Sequence, residues 1–235
     1  MSKPNTYLLH EGTLASGDAF IVTATIKSKN AKTGDMVQIA IMLRDIDPLA
    51  GVMSGLDAVT ICTDCPFAGG NGCYVNVGQG PLSIWKAYHR GSIPTLDPKD
   101  YAMAFSGRKV RFGSYGNPTL IPMAIVKSIC AVCEGWTGYF HNWHSMTPQL
   151  ARRWNAYFMA STETKDSLAM ANQLRLRTFH ASPVQPEGSV ECLSDTHGME
   201  CKDCMLCCGT KLNAKSVWIN PHGAKVKKAN AVAMR

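Results

Sequence analysis

The stretch "KVRFGSYGNPTLIPMAIVKSICAVCEGWTGYFHNWHSMTPQLARRWNAYFMAST" (109–162) alternates two periodicities. "KVRFGSYG" (109–116) is β-branched and aromatic and reads as a strand. "TLIPMAIVKSICAVCEG" (119–135) repeats apolar residues at helical spacing and ends on glycine, as helices do. "TGYFHNW" (137–143) and the run 156–162 read as further strands, with a helix over 147–154 that opens on Pro148. Strand then helix, repeated, predicts parallel strands under helices, because a parallel connection needs a crossover.

The same rhythm extends both ways. "AVTIC" (58–62) reads as a strand and "PLSIWKAYHR" (81–90) as a helix. A helix over 164–175 and strands over 177–182, 188–194 and 216–221 complete the set. Six or seven units fit a partial (β/α) barrel better than a full one of about 250 residues; an open doubly wound sheet is the alternative. "AFIVTATIKS" and "DMVQIAIML", separated by the turn-rich "KNAKTG", predict an N-terminal β-hairpin. The expected organisation is an α/β chain with an N-terminal β element over 1–50, a barrel over 51–190, and a cysteine-rich segment over 191–235 that includes the last strand and a basic tail.

Composition limits the function classes. The chain has 235 residues, 46% of them hydrophobic and 17% charged, a globular balance. No apolar run approaches the roughly 18–20 residues that span a bilayer, and "MSKPNTYLLHEG" lacks a signal-peptide core. A cytoplasmic location follows as the expectation. In a reducing compartment the ten cysteines are better read as metal ligands, reactive thiols or buried apolar groups than as disulfides. There is no GxSxG elbow and no HExxH, and "GGNG" (69–72) lacks the Lys-Ser/Thr pair of a phosphate loop. Net charge is +7. The tail "KSVWINPHGAKVKKANAVAMR" is basic and contains no acid, so it is either a solvated end or a weak nucleic-acid contact.

Two loops gather eight of the ten cysteines. Cys201-x2-Cys204-x2-Cys207 puts three thiolates on one tight loop, the spacing of a [4Fe–4S] ligand run, with Cys192 available as the fourth. Zinc is the competing metal, since four thiolates also make a tetrahedron. Cys208 reads as a spare or buried thiol, or a substitute for Cys207. The first loop, Cys62-x2-Cys65-x7-Cys73, has three cysteines. Its fourth ligand comes from Cys130, Cys133 or a rim histidine, or one metal position stays open. Cys130 and Cys133 share a helix face among apolar neighbours and read as core.

Strand ends of parallel α/β folds line a common rim. Here that rim is expected to carry Cys62, Cys65, Gly113–Asn117, His141, Trp143, His144, Ser161, Glu163, His180, Cys192 and Asp195. His141, His144 and Glu163 are the acid–base candidates. The alternative makes the histidines hydrogen-bonded rim groups, and Glu163 and Asp195 helix N-terminal carboxylates. Arg111 stands on the strand before the glycine turn and is placed to meet an acid or an anionic ligand.

The three-cysteine loop after a strand, with Tyr74 beside its last cysteine, resembles the cluster loop of radical S-adenosylmethionine enzymes. "RFGSYGNPTLIP" (111–122) resembles their glycine-rich cofactor turn, and the C-terminal cysteines resemble their auxiliary-cluster extensions. Over residues 35–223, "CPFAGGNGCYVN", "RFGSYGNP" and "TGYFHNW" resemble segments of phage-encoded cysteine-rich proteins. The resemblance implies a viral protein of the host cytoplasm with one or two [4Fe–4S] clusters. It implies a seat for S-adenosylmethionine at Gly113, Tyr115, Gly116, Asn117 and Pro118, and a reaction of unspecified substrate. The loop departs from the family's C-x3-C-x2-C, and Asn117 stands where the turn carries an acid. A metal-stapled adaptor for nucleic acid or protein, without catalysis, is the reading from another class.

Overall fold

The computed structural model describes residues 4–208 and 214–234; Arg235, the last residue of the basic tail, lies outside them. The strands are β1 (Thr6–Thr13), β2 (Ala19–Thr25), β3 (Val37–Leu43), β4 (Lys109–Tyr115), β5 (Gly135–Thr137), β6 (Tyr139–Phe140), β7 (Met159–Thr162), β8 (Thr178–Ala181), β9 (Val190–Glu191) and β10 (Val217–Ile219). The helices are α1 (Pro48–Ser54), α2 (Leu56–Val59), α3 (Gly80–His89), α4 (Tyr101–Phe105), α5 (Met123–Cys130), α6 (Pro148–Asn155), α7 (Lys165–Gln173), α8 (Leu193–Thr196), α9 (Cys201–Cys204) and α10 (Val226–Ala233). Helix starts follow local chemistry. Thr147 caps α6 and Pro148 begins it, while Thr164 and Ser167 form a reciprocal capping box on α7.

The architecture is mixed α/β. One sheet has the order β1-β2-β3-β4-β5 and the other β6-β7-β8-β10-β9. Strands β1, β2 and β3 pair antiparallel, whereas β3–β4, β4–β5 and every pairing of the second sheet are parallel. The predicted hairpin over 19–43 is therefore present, and its second strand is hydrogen-bonded into the parallel set. Gly138 alone separates β5 from β6. A Cβ there would stand 2.5 Å from the Phe158 ring, so only glycine lets the chain pass this close from one sheet to the next.

Three expectations are corrected. Residues 58–62 form no strand: α2 covers Leu56–Val59 and Thr60 Oγ1 closes its last turn on the Leu56 carbonyl, so β3 is the strand beside β4. Strand 137–143 is two short pieces that end where a 3-10 helix, Asn142–Ser145, begins. Strand 188–194 shrinks to β9 and runs into α8.

Alternation along the strands separates two apolar clusters. Val110, Phe112, Phe140 and Ala160 face the main core with Phe105 of α4, Val126 and Ile129 of α5, and Trp154 of α6. Met159, the neighbour of Ala160, belongs instead to a small cluster with Cys192, Val217 and Ile219. Phe67 and Leu206, from the two cysteine loops, pack against that second cluster. One face of the parallel strands is thus covered by helices and the other by the cysteine loops.

Candidate metal centres

The first loop is held in a conformation that side chains rarely choose. Thr63 and Asp64, between Cys62 and Cys65, have φ of 27° and 57°, and such backbone persists only where surroundings fix it. Asn117 Nδ2 donates to Thr63 Oγ1 and, at 2.9 Å, to Asn142 Oδ1. Ser145 Oγ donates to Asp64 Oδ2 at 2.9 Å, and His144 Nε2 lies 3.6 Å from the same oxygen. The far end is clamped by the basic tail. Lys225 Nζ donates to the Cys73 carbonyl at 2.8 Å and Lys228 Nζ to that of Gly70 at 3.2 Å. Gly72, at φ 138°, sits so close to α10 that a Cβ would meet Ala229 Cα at 3.0 Å.

This network groups the three thiols. Cys62 interacts electrostatically with Cys65 and Cys73 and accepts the Gly116 N–H; Cys73 accepts the Val75 N–H and senses Cys65 and His141. Burial pushes the Cys62 thiol well above its ordinary pKa, and neighbouring Cys65 adds to that. A cavity of about 60 Å³ lies against Cys62, Cys73, Asp57 and Tyr115. His141 hydrogen-bonds Cys65. Its Nδ1 is buried without a hydrogen-bond partner and lies 3.5 Å from Glu163 Oε1, a separation for charge attraction rather than a well-made hydrogen bond. Burial works against charge on His141, but Cys65 and Glu163 outweigh it and raise its pKa. Glu163, 5% exposed, accepts from Ser161 Oγ at 2.8 Å.

The second loop is assembled differently. Cys192 N donates to the Trp218 carbonyl at 2.8 Å, and Cys192 precedes α8. Asp195, in the first turn of α8, pairs with His222 Nδ1 at 3.1 Å. The segment 201–208 is tied down through its own backbone. Cys201 N donates to the Lys32 carbonyl at 2.9 Å. Lys109 Nζ donates to that of Lys202 at 2.6 Å, and Arg177 to those of Leu206, Cys208 and Lys215. Cys201 senses Cys192 and Cys204; Cys207 senses Cys192 and Cys201 and accepts the Tyr139 hydroxyl. Burial raises the Cys207 thiol to about 12.

Arg111 lies beside both loops. It is 6% exposed, its guanidinium sits 4.2 Å from the centre of the Tyr139 ring, and Nη2 donates to Tyr74 Oη at 3.3 Å. Cys201 and Cys207 lie in its field. Among the described residues it has no carboxylate ion-pair partner. A buried cation without an acid is costly unless another anion answers it. The alternation of β4 and β6 marks Arg111 and Tyr139 as neighbours on one face, but nothing in the spacing marks Tyr139 as a sulfur donor.

The remaining cysteines form a third group. Cys130 senses Cys133 and Cys208, and Cys133 senses Cys208 and accepts the Gly135 N–H. Cys130 and Cys133 pack on the main core as expected, and a β-bridge from Thr137 holds Cys208 beside them. Their sulfur neighbours are one another rather than the first loop. The glycine turn is committed to the protein. Gly113 and Gly116 have positive φ, the buried Tyr115 hydroxyl donates to Asp57, and Asn117 is spent on the first loop. His180 bonds Thr162 Oγ1 at 2.9 Å, away from the thiols.

Among the described residues no three His, Cys, Asp or Glu side chains converge tightly enough to hold a single ion. Comparison with family models, with curated proteins and with solved structures returned no match.

Proposed function

We propose that the two sheets form one partial α/β barrel, handed over at Gly138, and that its inner face carries iron–sulfur centres. Cys192, Cys201, Cys204 and Cys207 supply the four thiolates of a [4Fe–4S] cluster, and Cys62, Cys65 and Cys73 ligate a second centre. The observation that carries this reading is Arg111, a buried guanidinium with thiols rather than a carboxylate around it. A cluster with four thiolates is a net anion, and Arg111, the Tyr139 hydroxyl and the N–H donors of Gly116 and Val75 are the partners such sulfur needs. A zinc tetrahedron, with Zn–S bonds of about 2.3 Å, needs ligands converging on one ion, and no such group is found among the described residues. Bound metal displaces the thiol protons, so burial that raises the free thiols' pKa values is no obstacle to the loaded state.

Radical cleavage of S-adenosylmethionine at the first centre requires one iron left open, whereas a fully ligated centre passes electrons. Anaerobic purification with iron, sulfide and zinc counts and a visible spectrum tests the reading. A brown protein with iron and sulfide in equal amounts is expected, with Cys204→Ala losing one cluster's share, about four irons. Zinc alone, no metal, or an unchanged iron count in Cys204→Ala overturns it. A colourless zinc protein whose DNA binding weakens with salt would instead mark the adaptor class.

A further inference from the structure

We propose that Lys32 is a nucleophilic lysine that forms an imine with aldehydes, with His222 as its general base and Asp195 positioning His222. The array needs no metal and uses none of the thiols. It joins three segments far apart in the chain. Lys32 lies in the turn between β2 and β3, Asp195 in the first turn of α8, and His222 just past β10. Lys32 Nζ stands 3.0 Å from His222 Nε2. On the other side of the ring, His222 Nδ1 stands 3.1 Å from Asp195 Oδ1 and 3.0 Å from the Asn220 carbonyl.

These distances decide which atom carries which proton. Both neighbours of Nδ1 are oxygen acceptors, so Nδ1 bears the hydrogen. Nε2 then offers its lone pair to Lys32, because an ammonium has only donors and cannot face a second N–H at 3.0 Å. A nucleophile, a base within hydrogen-bond reach and a third group orienting that base make the arrangement used in covalent catalysis. The lysine is also held at its root. Asn30 Oδ1 accepts the backbone N–H of Lys32 at 3.0 Å and that of Thr33 at 2.9 Å. The Asn30 carbonyl accepts the N–H of Gly34 at 2.8 Å. A turn fixed this way lowers the ordering cost that a free lysine meets on reacting. The His222 side chain is 46% exposed, so a small carbonyl compound reaches Nζ from solvent.

The step balances without an oxidant or reductant. The Lys32 ammonium passes one proton to His222 Nε2, and the imidazolium lies against the Asp195 carboxylate. Neutral Nζ attacks the aldehyde carbon, and a proton moves from nitrogen to the carbonyl oxygen to give the carbinolamine. His222 returns its proton to that hydroxyl, which leaves as water. One ammonium and one aldehyde thus give one protonated imine and one water.

The test uses the full chain, with pyridoxal as the aldehyde, borohydride to trap the imine and peptide mass spectrometry to locate it. Lys29, exposed on the same turn, is the internal reference. At limiting pyridoxal, Lys32 should be trapped about tenfold faster than Lys29 or more, since a positioned base contributes at least that much. In His222→Gln and in Asp195→Asn the two lysines should react alike, with the melting temperature unchanged, and Asp195→Glu should restore most of the difference. A variant that merely loosens the turn raises labelling at Lys29 as well, so the ratio still reads Lys32 alone. Equal trapping of Lys32 and Lys29 in the wild-type chain overturns the proposal. So does a Lys32 preference that survives His222→Gln.

Discussion

The two faces of the parallel strands are built on opposite principles. On one, Phe112, Phe140, Phe158 and Trp154 are dry and packed under helices α4 to α7, so burial of apolar area holds them. On the other, Arg111, Tyr139, His141 and Glu163 meet two loops, the first without a helix over 62–73 and the second with only α8 and α9, each four residues long. Four-residue helices do not support themselves, and the apolar cluster beneath is small. The cysteine face therefore depends on its polar pins, while the helical face does not. Stability has two separable sources in one chain.

On the iron–sulfur reading proposed above, removing metal should separate them most visibly. With iron chelated, or in Cys201→Ser/Cys204→Ser, amides of 192–208 should then exchange at rates close to those of an open loop, while β4 and α6 keep their protection. Hydrogen exchange read by mass spectrometry checks this; uniform loss across both faces breaks the comparison. The reverse experiment is Phe158→Ala, expected to cost roughly 3–5 kcal/mol because the ring is fully buried against Phe112 and Trp154. Iron per folded chain should stay constant. A proportional loss of iron would show that the two faces unfold as one.

The helical face was largely legible in the sequence. Elements at 80–89, 109–115, 148–155 and 165–173 announce themselves through period, proline at the first turn and a capping pair. "AVTIC" misleads because β-branched residues favour strands in general, whereas here Thr60 bonds back to Leu56 and Asp57 is buried under Gly51. Strand β1 is missed because a bulge between Leu8 and His10 breaks its alternation. The tail reads as basic, and its charge hides Ala229 and Val232, the apolar contacts that seat α10. On the cysteine face, spacing proposes Cys192 with Cys201, Cys204 and Cys207 as one set, and Cys192 and Cys204 do lie in the field of Cys201. Arg111 with Cys207, His141 with Glu163, and Cys208 with Cys130 are meetings through space that no local pattern encodes.

Asp57 gives a pH handle on the first loop. Burial, with Asp47 adding, raises its pKa from 3.8 to about 7. A carboxyl whose folded pKa exceeds the unfolded value stabilises the fold most below the unfolded pKa, and that contribution is lost as pH rises through about 7. Wild-type stability should therefore fall between pH 4 and pH 8, by at most about 4 kcal/mol from this group. Asp57→Asn keeps an acceptor for Tyr115 and should flatten the slope, gaining over wild type at pH 8 and not at pH 4. Parallel slopes for the two proteins in urea titrations would remove Asp57 as their source.

The smallest expected effect decides what the basic tail is for. Lys225 and Lys228 each spend their ammonium on a carbonyl of the first loop, and an exposed bond of that kind is worth about 0.5–1.5 kcal/mol. Lys228→Ala should lower the melting temperature slightly and speed proteolysis near Gly70, with iron retained. Lys227 has no such bond to the loop among the described residues, so Lys227→Ala is the matched control with the same charge change and no effect on the loop. If the tail instead reads phosphate, the three lysines are equivalent. Each substitution would then lower the salt slope of DNA binding by about one unit, and loop protection would not distinguish Lys228 from Lys227. A difference between those two single variants in proteolysis, set against equality in DNA binding, assigns the tail to the cysteine face.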